Sequence, residues 1–401
     1  MEGKMSAAST IKNEPQVDVL SLSRDLADEF RVSSLQRDRL GKTPKRERDL
    51  IRQSGLLKLS IPRSWGGWGV DWPTLYQSIR IISEGDSSLG HVYGFHHVLL
   101  ATCRLFGSES QAQRLLSRTA AENWFWGNTL NPMDKRLVLA REGKELRLRG
   151  KKSYGTGSID SDFLIVSALE EGTEKLVVAA IPTHRSGLLL HDDWSNMGQR
   201  ATDSGSATFE NVLLEEDEIL GPPGPMGSVF AGLRPCVAQL VFVNVYLGIA
   251  QGALAEAKKF TREETKPWPW SGVDQATADP YVLEHFGNSW AELEGAVAVA
   301  DKAAHVLQKA FEKGDSLTPK ERGETAVAIA TAKVLSSRAA LGITSRIFEA
   351  TGASATSAKW GLDRFWRNAR TLTLHDRLDY KVRELGDWAL NDKVPTPSLY
   401  S

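Results

Sequence analysis

The 401-residue chain is poor in cysteine. It has two, Cys103 and Cys236, far apart and in no metal or redox spacing. That excludes a disulfide framework and fits a reducing compartment. It also lacks an excess charge of either sign. Its 49 basic and 50 acidic residues leave a formal net charge of -1, so no basic field draws nucleic acid. Uninterrupted apolar runs are missing as well. The longest apolar stretch, Cys236 to Leu254, is broken by Gln239, Asn244 and Gln251. It reads as a buried bundle helix rather than a membrane span. Met1 to Val17 is polar and charged with no apolar core, so no secretory signal is expected and the expected location is cytoplasmic.

Several chemical signatures are missing too. No Gly-x-Gly-x-x-Gly stands between a strand and a helix, which excludes a dinucleotide-binding Rossmann unit. There is no Walker loop, no His-Glu-x-x-His, no Cys/His metal spacing and no Gly-x-Ser-x-Gly nucleophile elbow. His91, His96 and His97 are close in sequence, but at offsets of five and six they share a helix face poorly, and no metal is expected. Any cofactor must therefore be held without a nucleotide fingerprint.

The composition that remains is that of an ordinary globular protein, 41 % hydrophobic and 25 % charged, with twelve tryptophans. The length calls for two or three packed sub-domains. A polar extension is expected over 1–16. A helical domain is expected over 17–123, with an amphipathic helical stretch from Val17 to Asp49. A glycine turn follows at Ser64 to Gly69, then a helix capped by Asp71 with Pro73 in its first turn, and then a helix from Leu89 to Phe106. From about Trp124 the period changes. Short β-rich runs such as Glu145-Leu-Arg-Leu-Arg and Phe163-Leu-Ile-Val predict a small antiparallel β domain over 124–220, a barrel or sandwich. After the Gly221-Pro-Pro-Gly-Pro cluster, a helical bundle is expected over 225–401. Its four helices are Val229 to Glu264, Pro280 to Lys313, Pro319 to Thr351 and Leu378 to Leu390.

This order, helices then a β domain then a bundle, resembles the acyl-CoA dehydrogenase superfamily over almost the whole chain. Pro62 to Gly69 is similar to its Pro-x-x-x-Gly-Gly turn, Asp86-Ser87-Ser88-Leu89 to the start of its pocket helix, and Arg367-Asn-Ala-Arg370 to the arginine-rich word before its catalytic stretch. Longer words, among them Trp65 to Thr74, Gly127 to Pro132, His191 to Ser206, Ala238 to Leu254, Ala276 to Tyr281 and Asp363 to Asp376, are most similar to the two-component flavin monooxygenases of the dibenzothiophene monooxygenase type. The resemblance implies an α+β fold of N-terminal helices, a central small β-barrel or sandwich and a C-terminal four-helix bundle. It implies oxygenation of a small, organosulfur substrate by oxygen through a flavin hydroperoxide. The co-substrate would be reduced FMN, with FAD as the alternative, supplied by a separate NAD(P)H-flavin reductase. A homotetramer is implied, with neither nucleic acid nor membrane as partner.

The same resemblance assigns the site. True dehydrogenases often carry a catalytic glutamate near the position where this chain has His375-Asp376. An imidazole suits proton handling near neutral pH, so His375 is the first acid/base candidate. His91 shares a helix face with Phe95 and Val98, and the resemblance turns this face toward the flavin. Thr156 keeps the hydroxyl that relatives supply by serine, and Lys152, Ser153, Tyr154 and Gly155 lead up to it along the flavin ring. Asn128 can serve a flavin carbonyl, Met133 reaches in from a mobile lid over Thr129 to Leu137, and Trp194 packs beside the ring or the substrate. On the phosphate side, Lys266 stands where relatives have arginine, and Ser354, after Ala353, stands where they have a basic residue. Lysine keeps the charge but loses the bidentate fork, which leaves FMN against FAD open. An FAD-dependent dehydrogenase with Asp376 as base is the competing reading, with N- or aromatic C-hydroxylation also open.

Overall fold

The computed structural model describes residues 18–173 and 175–401. The polar extension expected over 1–16 lies outside them. Five helices lead the described residues: α1 (Val19–Leu40), α2 (Lys45–Ser54), α3 (Trp72–Gly85), α4 (Ser87–Phe106) and α5 (Glu109–Glu122). The helical stretch expected from Val17 to Asp49 is thus two helices. Gly41 ends α1 in the left-handed region (φ 58°), and Pro44 sits at the N-cap of α2, where it cannot continue a preceding helix. Asp71 caps α3 by accepting from the Thr74 N–H at 2.8 Å. Asp86 caps α4 by accepting from Ser88 and Leu89 at 2.9 and 3.3 Å. The sequence reading passed over α5, although Ser108 and Gln111 form a reciprocal capping box.

Seven strands follow, all in one sheet: β1 (Trp126–Thr129), β2 (Val138–Glu142), β3 (Glu145–Lys152), β4 (Phe163–Glu170), β5 (Leu176–Pro182), β6 (Leu188–Leu190) and β7 (Ala207–Leu214). The order is β1-β4-β2-β3-β7-β6, with β5 on β4. Alternation explains β3. Leu146 and Leu148 turn into the β core while Arg147 and Arg149 pair with Glu145 and Glu142. The expected all-antiparallel pairing needs correction. β1 and β2 both run parallel to β4 and share one of its edges, while the β2–β3, β3–β7, β4–β5 and β6–β7 pairs are antiparallel. Between Leu148 and Gly150 the β3 register shifts. Gly150 has φ 128°, and a Cβ there would meet the Arg136 carbonyl oxygen at 2.0 Å.

The remaining helices are α6 (Arg234–Glu263), α7 (Pro280–Glu312), α8 (Pro319–Thr351), α9 (Asp363–Thr373) and α10 (Leu378–Asn391). α9 is one more than the sequence pattern suggested. Both helical segments share a single core in which Phe30, Tyr76, Leu99, Phe242 and Ile343 are all buried, while the strands enclose a second, smaller one. α6 and α8 are long and apolar enough to cross a membrane by length and composition. However, 94 % of the most apolar window of α6 is packed inside the protein, as expected of a bundle's central helix. Arg48 joins α2 to the β segment. Fully buried, it donates to Asp203 Oδ2 at 2.8 Å and to the Asp160 and Gly157 carbonyls at 2.7 and 3.1 Å. These bonds fix the turn after β3 against the loop before β7.

Candidate functional site

A cavity of about 690 Å³ opens between the sheet and α4, α6 and the segment after α9. α4 contributes His91 and Phe95, whose rings meet edge to face at 4.9 Å. α6 contributes Phe242, one ring distance from Phe95 (5.3 Å) and from His375 (4.4 Å). From the β side come Asn128 of β1, Tyr154 and Thr156 of the turn after β3, and Trp194 and Ser204 of the loop between β6 and β7. One wall is thus aromatic and the other carries short polar groups.

The loop between β6 and β7 is braced by one bond within itself and held by two from outside. The Trp194 indole N–H donates to the Gln199 carbonyl at 2.8 Å, the Gln199 backbone N–H donates to Asn368 Oδ1 at 2.6 Å, and Gln199 Nε2 donates to Ser87 Oγ at 3.1 Å. A Cβ on Gly198 would meet the Arg367 carbonyl oxygen at 2.2 Å, so only glycine lets the loop lie on α9. The Thr156 hydroxyl shares a hydrogen bond with Ser204 Oγ at 3.0 Å. Tyr154 sits half exposed in the left-handed region at φ 64°, uncommon for a bulky side chain, with its ring edge-on to Trp194 at 6.1 Å.

His375 heads a charged network. Its Nδ1 lies 3.3 Å from Asp376 Oδ1, and Lys333 of α8 bonds the same carboxylate oxygen. Gln239 completes the set by donating to Asp376 Oδ2 at 3.3 Å and accepting from Lys333. Burial works against the Asp376 carboxylate, but the His375 bond and the Lys333 charge outweigh it and hold its pKa well below the usual range. Burial pushes the Lys333 ammonium down to about 8 against the pull of Asp376. With Nδ1–H donating to Asp376, Nε2 is the ring nitrogen left without a partner among the described residues. His91 differs. Burial, with the nearby His375, pushes it down to about 3, so its imidazole is neutral at working pH.

Of the residues singled out from sequence, His91, Phe95, Asn128, Met133, Tyr154, Thr156, Trp194 and His375 line this one cavity. Val98 belongs to the core behind it. Lys152 does not line the cavity. Its buried ammonium donates to the Asn131 and Asp134 carbonyls at 2.8 and 2.6 Å and so ties down the loop that carries Met133. Ser153 is engaged with that loop too, through Asp134 and Arg136, and Gly155 passes its N–H to the Gly205 carbonyl. Lys266, Ala353 and Ser354 lie on the exposed surface, away from this chain's cavity. Their segments are joined by the bond from Thr265 Oγ1 to the Thr351 carbonyl at 3.4 Å. His96 and His97 are structural: His96 bridges Leu57 O and the Trp126 N–H, and His97 bonds Ser60. Sequence reasoning missed Lys333, Gln239, Phe242, Arg234 and Tyr400. For the α6 residues a signal existed, since Arg234, Ala238 and Phe242 recur every four residues along one helix face.

A flat heteroaromatic with one polar edge matches this geometry. Asn128 Oδ1 accepts from the Leu130 N–H at 3.1 Å, which leaves Nδ2 free among the described residues. Gln199 Oε1 is buried at the same polar wall, beside the His91 ring. Rings of Phe95, Phe242 and Trp194 offer apolar surface to the faces of such a ligand. The residues therefore fit the isoalloxazine of a flavin.

Helices around a single sheet, with a flavin-shaped cavity between sheet and bundle, define the class, and the chain belongs to the acyl-CoA dehydrogenase family. The family's N-terminal domain matches residues 15–123 and its C-terminal domain residues 240–380. Over 97 % of its length the chain is 50 % identical to a probable FMNH2-dependent monooxygenase, SfnC, of Pseudomonas putida, covering 99 % of that protein. The solved structure of the methanesulfinate monooxygenase MsuC from Pseudomonas fluorescens superposes with a TM-score of 0.94 at 51 % identity, covering 96 % of this chain and all of that one. The FMN-bound structure of TdsC, a dibenzothiophene monooxygenase from Paenibacillus sp. A11-2, gives a TM-score of 0.92 at 42 % identity over 96 % of this chain and 100 % of that one.

Proposed function

We propose that this chain is the oxygenase component of a two-component, FMN-dependent monooxygenase that adds oxygen to a small organosulfur compound. The observation that carries the reading is His375, which faces a cavity with flavin-compatible walls while its neighbour Asp376 is fully engaged. Reduced FMN, when bound, supplies the electrons that activate oxygen, and a separate flavin reductase supplies the reduced FMN. Asn128 and Thr156 orient the polar ring edge, and Trp194 and Phe242 cover apolar surface and exclude water. His375 holds or delivers a proton at Nε2, with Asp376 fixing its tautomer. Neutral His91 donates or accepts a hydrogen bond without adding charge. Lys266 and Ser354 serve the flavin phosphate of a neighbouring copy in a homotetramer, which accounts for their distance from this chain's own cavity. The expected location is the cytoplasm.

The dehydrogenase reading loses its base. A carboxylate that must take a proton from a thioester's α-carbon has to face the substrate with a pKa near or above its usual value. Asp376 is instead paired with buried Lys333, bonded by His375 and Gln239, and held well below that value. The deciding experiment supplies the purified chain with NADH, FMN, a flavin reductase and ¹⁸O₂, and offers it sulfinates, sulfones, thioethers and thiophenes. One ¹⁸O per product molecule, dependent on the chain, is expected from at least one class. Peroxide release alone, with no labelled product from any class, would refute the proposal.

A further inference from the structure

Arg234 stands at the first turn of α6, 6 % exposed, with its side chain on the cavity wall. Its Nε donates to Thr102 Oγ1 at 3.4 Å. Neither terminal nitrogen finds a hydrogen-bond acceptor among the described residues, and no carboxylate lies within salt-bridge distance. Every other buried arginine along the chain, by contrast, is engaged. Arg37 pairs with Glu47 and Asp86, Arg48 with Asp160 and Asp203, Arg80 with Asp301, Arg364 with Glu256, and Arg322 bonds the Gly232 carbonyl. No aspartate or glutamate lines the cavity, and its two histidines are the neutral His91 and the Asp376-bonded His375. The terminal nitrogens thus face the cavity and not a protein acceptor, and a largely buried guanidinium that has no counter-charge beside it is a ready site for an anion.

We infer that Arg234 is the anion-recognising residue of the substrate end of the cavity, and that the substrate is a small organosulfur anion carrying a sulfinate or sulfonate group. The inference rests on the monooxygenase reading above and narrows it. The planar guanidinium presents two parallel N–H donors that match two oxygens of such a head group. In a sulfinate this leaves the sulfur lone pair pointing away from the fork and free to accept oxygen. The step balances: RSO₂⁻ + O₂ + FMNH₂ gives RSO₃⁻ + FMN + H₂O. One S–O bond forms, the O–O bond breaks, sulfur loses two electrons and the flavin loses two. Arg234, Ala238 and Phe242 share a face of α6, with the Arg234 backbone two turns, about 12 Å of helix axis, from that of Phe242, whose ring lies 4.4 Å from that of His375. Tyr400, its ring 6.0 Å from that of His375, spans the same wall. Arg234 also feels the Tyr400 hydroxyl, so the guanidinium and the proton-handling imidazole flank one ring on the same wall. Burial lowers the guanidinium only to about 10, so it stays charged at working pH.

The test titrates the full-length protein with methanesulfinate and separately with FMN by calorimetry, for wild type, Arg234→Met and Arg234→Lys. Turnover is measured against methanesulfinate and the neutral methyl phenyl sulfide. Arg234→Met is expected to weaken methanesulfinate binding at least tenfold and to lower the ratio of kcat/KM for anion over neutral compound by a similar factor. Arg234→Lys should show a smaller loss, and it keeps the test open should the methionine variant not fold. FMN affinity is expected to change less than twofold. Equal methanesulfinate binding in wild type and variants would overturn the inference, as would an equal loss for both compounds. A tenfold loss of FMN affinity would overturn it too, by assigning the guanidinium to the flavin phosphate. Arg234-dependent anion binding without oxygenation of any sulfur compound would leave the anion site standing and sink the monooxygenase reading. Oxygenation of the neutral sulfide with no anion binding would do the reverse.

Discussion

Replacing Lys333 with methionine removes the positive partner of Asp376 from a site where Lys333 is 1 % exposed. The carboxylate stays behind, still buried, with His375 and Gln239 as its remaining donors. Stranding one member of a buried pair costs about 3–5 kcal/mol. Unfolding entropy of about 2.1 cal/mol/K per residue over 401 residues converts this into a fall in Tm of roughly 4–6 °C. The double variant Lys333→Met/Asp376→Leu leaves no charge unpaired, and most of the lost stability should return, because apolar replacement of both partners is close to neutral. Activity should not return, since His375 then has no acceptor at Nδ1 to fix its tautomer. The assay is a thermal and chemical denaturation cycle over the four proteins, paired with the coupled oxygenation assay. A Lys333→Met variant within about 1 kcal/mol of wild type would refute the assigned pairing. A double variant with full activity would refute the positioning role of Asp376.

His375→Ala should cut product formation by roughly 10²–10⁴-fold while leaving the melting curve close to wild type, and near-normal turnover would remove His375 from the mechanism. Thr156→Val loses the buried bond to Ser204 and should lower kcat/KM for reduced FMN by roughly threefold to tenfold, read from steady-state kinetics at varied FMN. Lys266→Ala should raise the FMN dissociation constant, and an unchanged value would count against its phosphate role. His91, His96 and His97 all have pKa values pushed down by burial, the first two to about 3. Their unfolded values lie near 6.5, so between these limits the unfolded chain binds more protons and stability must fall as pH drops below about 6.5. Each contributes about 1.4 kcal/mol per pH unit, and denaturation midpoints that stay flat from pH 6.5 to 5 would contradict the burial of these rings.

Long periodic segments were legible from sequence because one signal spans many residues. α8, Pro319–Thr351, has the limits its Thr-Pro start and apolar stripe suggest. α9 was not legible as a helix: at eleven residues it offers three turns, and it was noticed only for its arginines. The parallel pairing of β1 and β2 with β4 was equally hidden, since strand runs carry no local record of their partner's direction. Eight residues of the cavity could be named from the resemblance, including both histidines. Lys333 could not, because it lies in α8, 43 residues before the carboxylate it serves, and nothing local in that helix marks which of its polar positions turn inward.

The charges around the cavity explain why one scaffold gives up dehydrogenation for oxygenation. A dehydrogenase needs a carboxylate that is free to take a proton from carbon. Here the nearest carboxylate, Asp376, is answered by Lys333 from behind and by His375 from the side, so it carries no free basicity to the substrate. What the network presents to the cavity is an imidazole with one nitrogen anchored and the other open, suited to proton delivery beside activated oxygen. With Asp376 behind the wall and compensated by Lys333, and no carboxylate among the described residues of the lining, Arg234 is the permanent charge there that has no partner. A neutral aromatic thiophene would leave that charge without a counter-charge. An anionic sulfur compound would answer it, so under the inference drawn above chemistry and substrate preference trace to the same two decisions about charge, one carboxylate neutralised and one guanidinium left open.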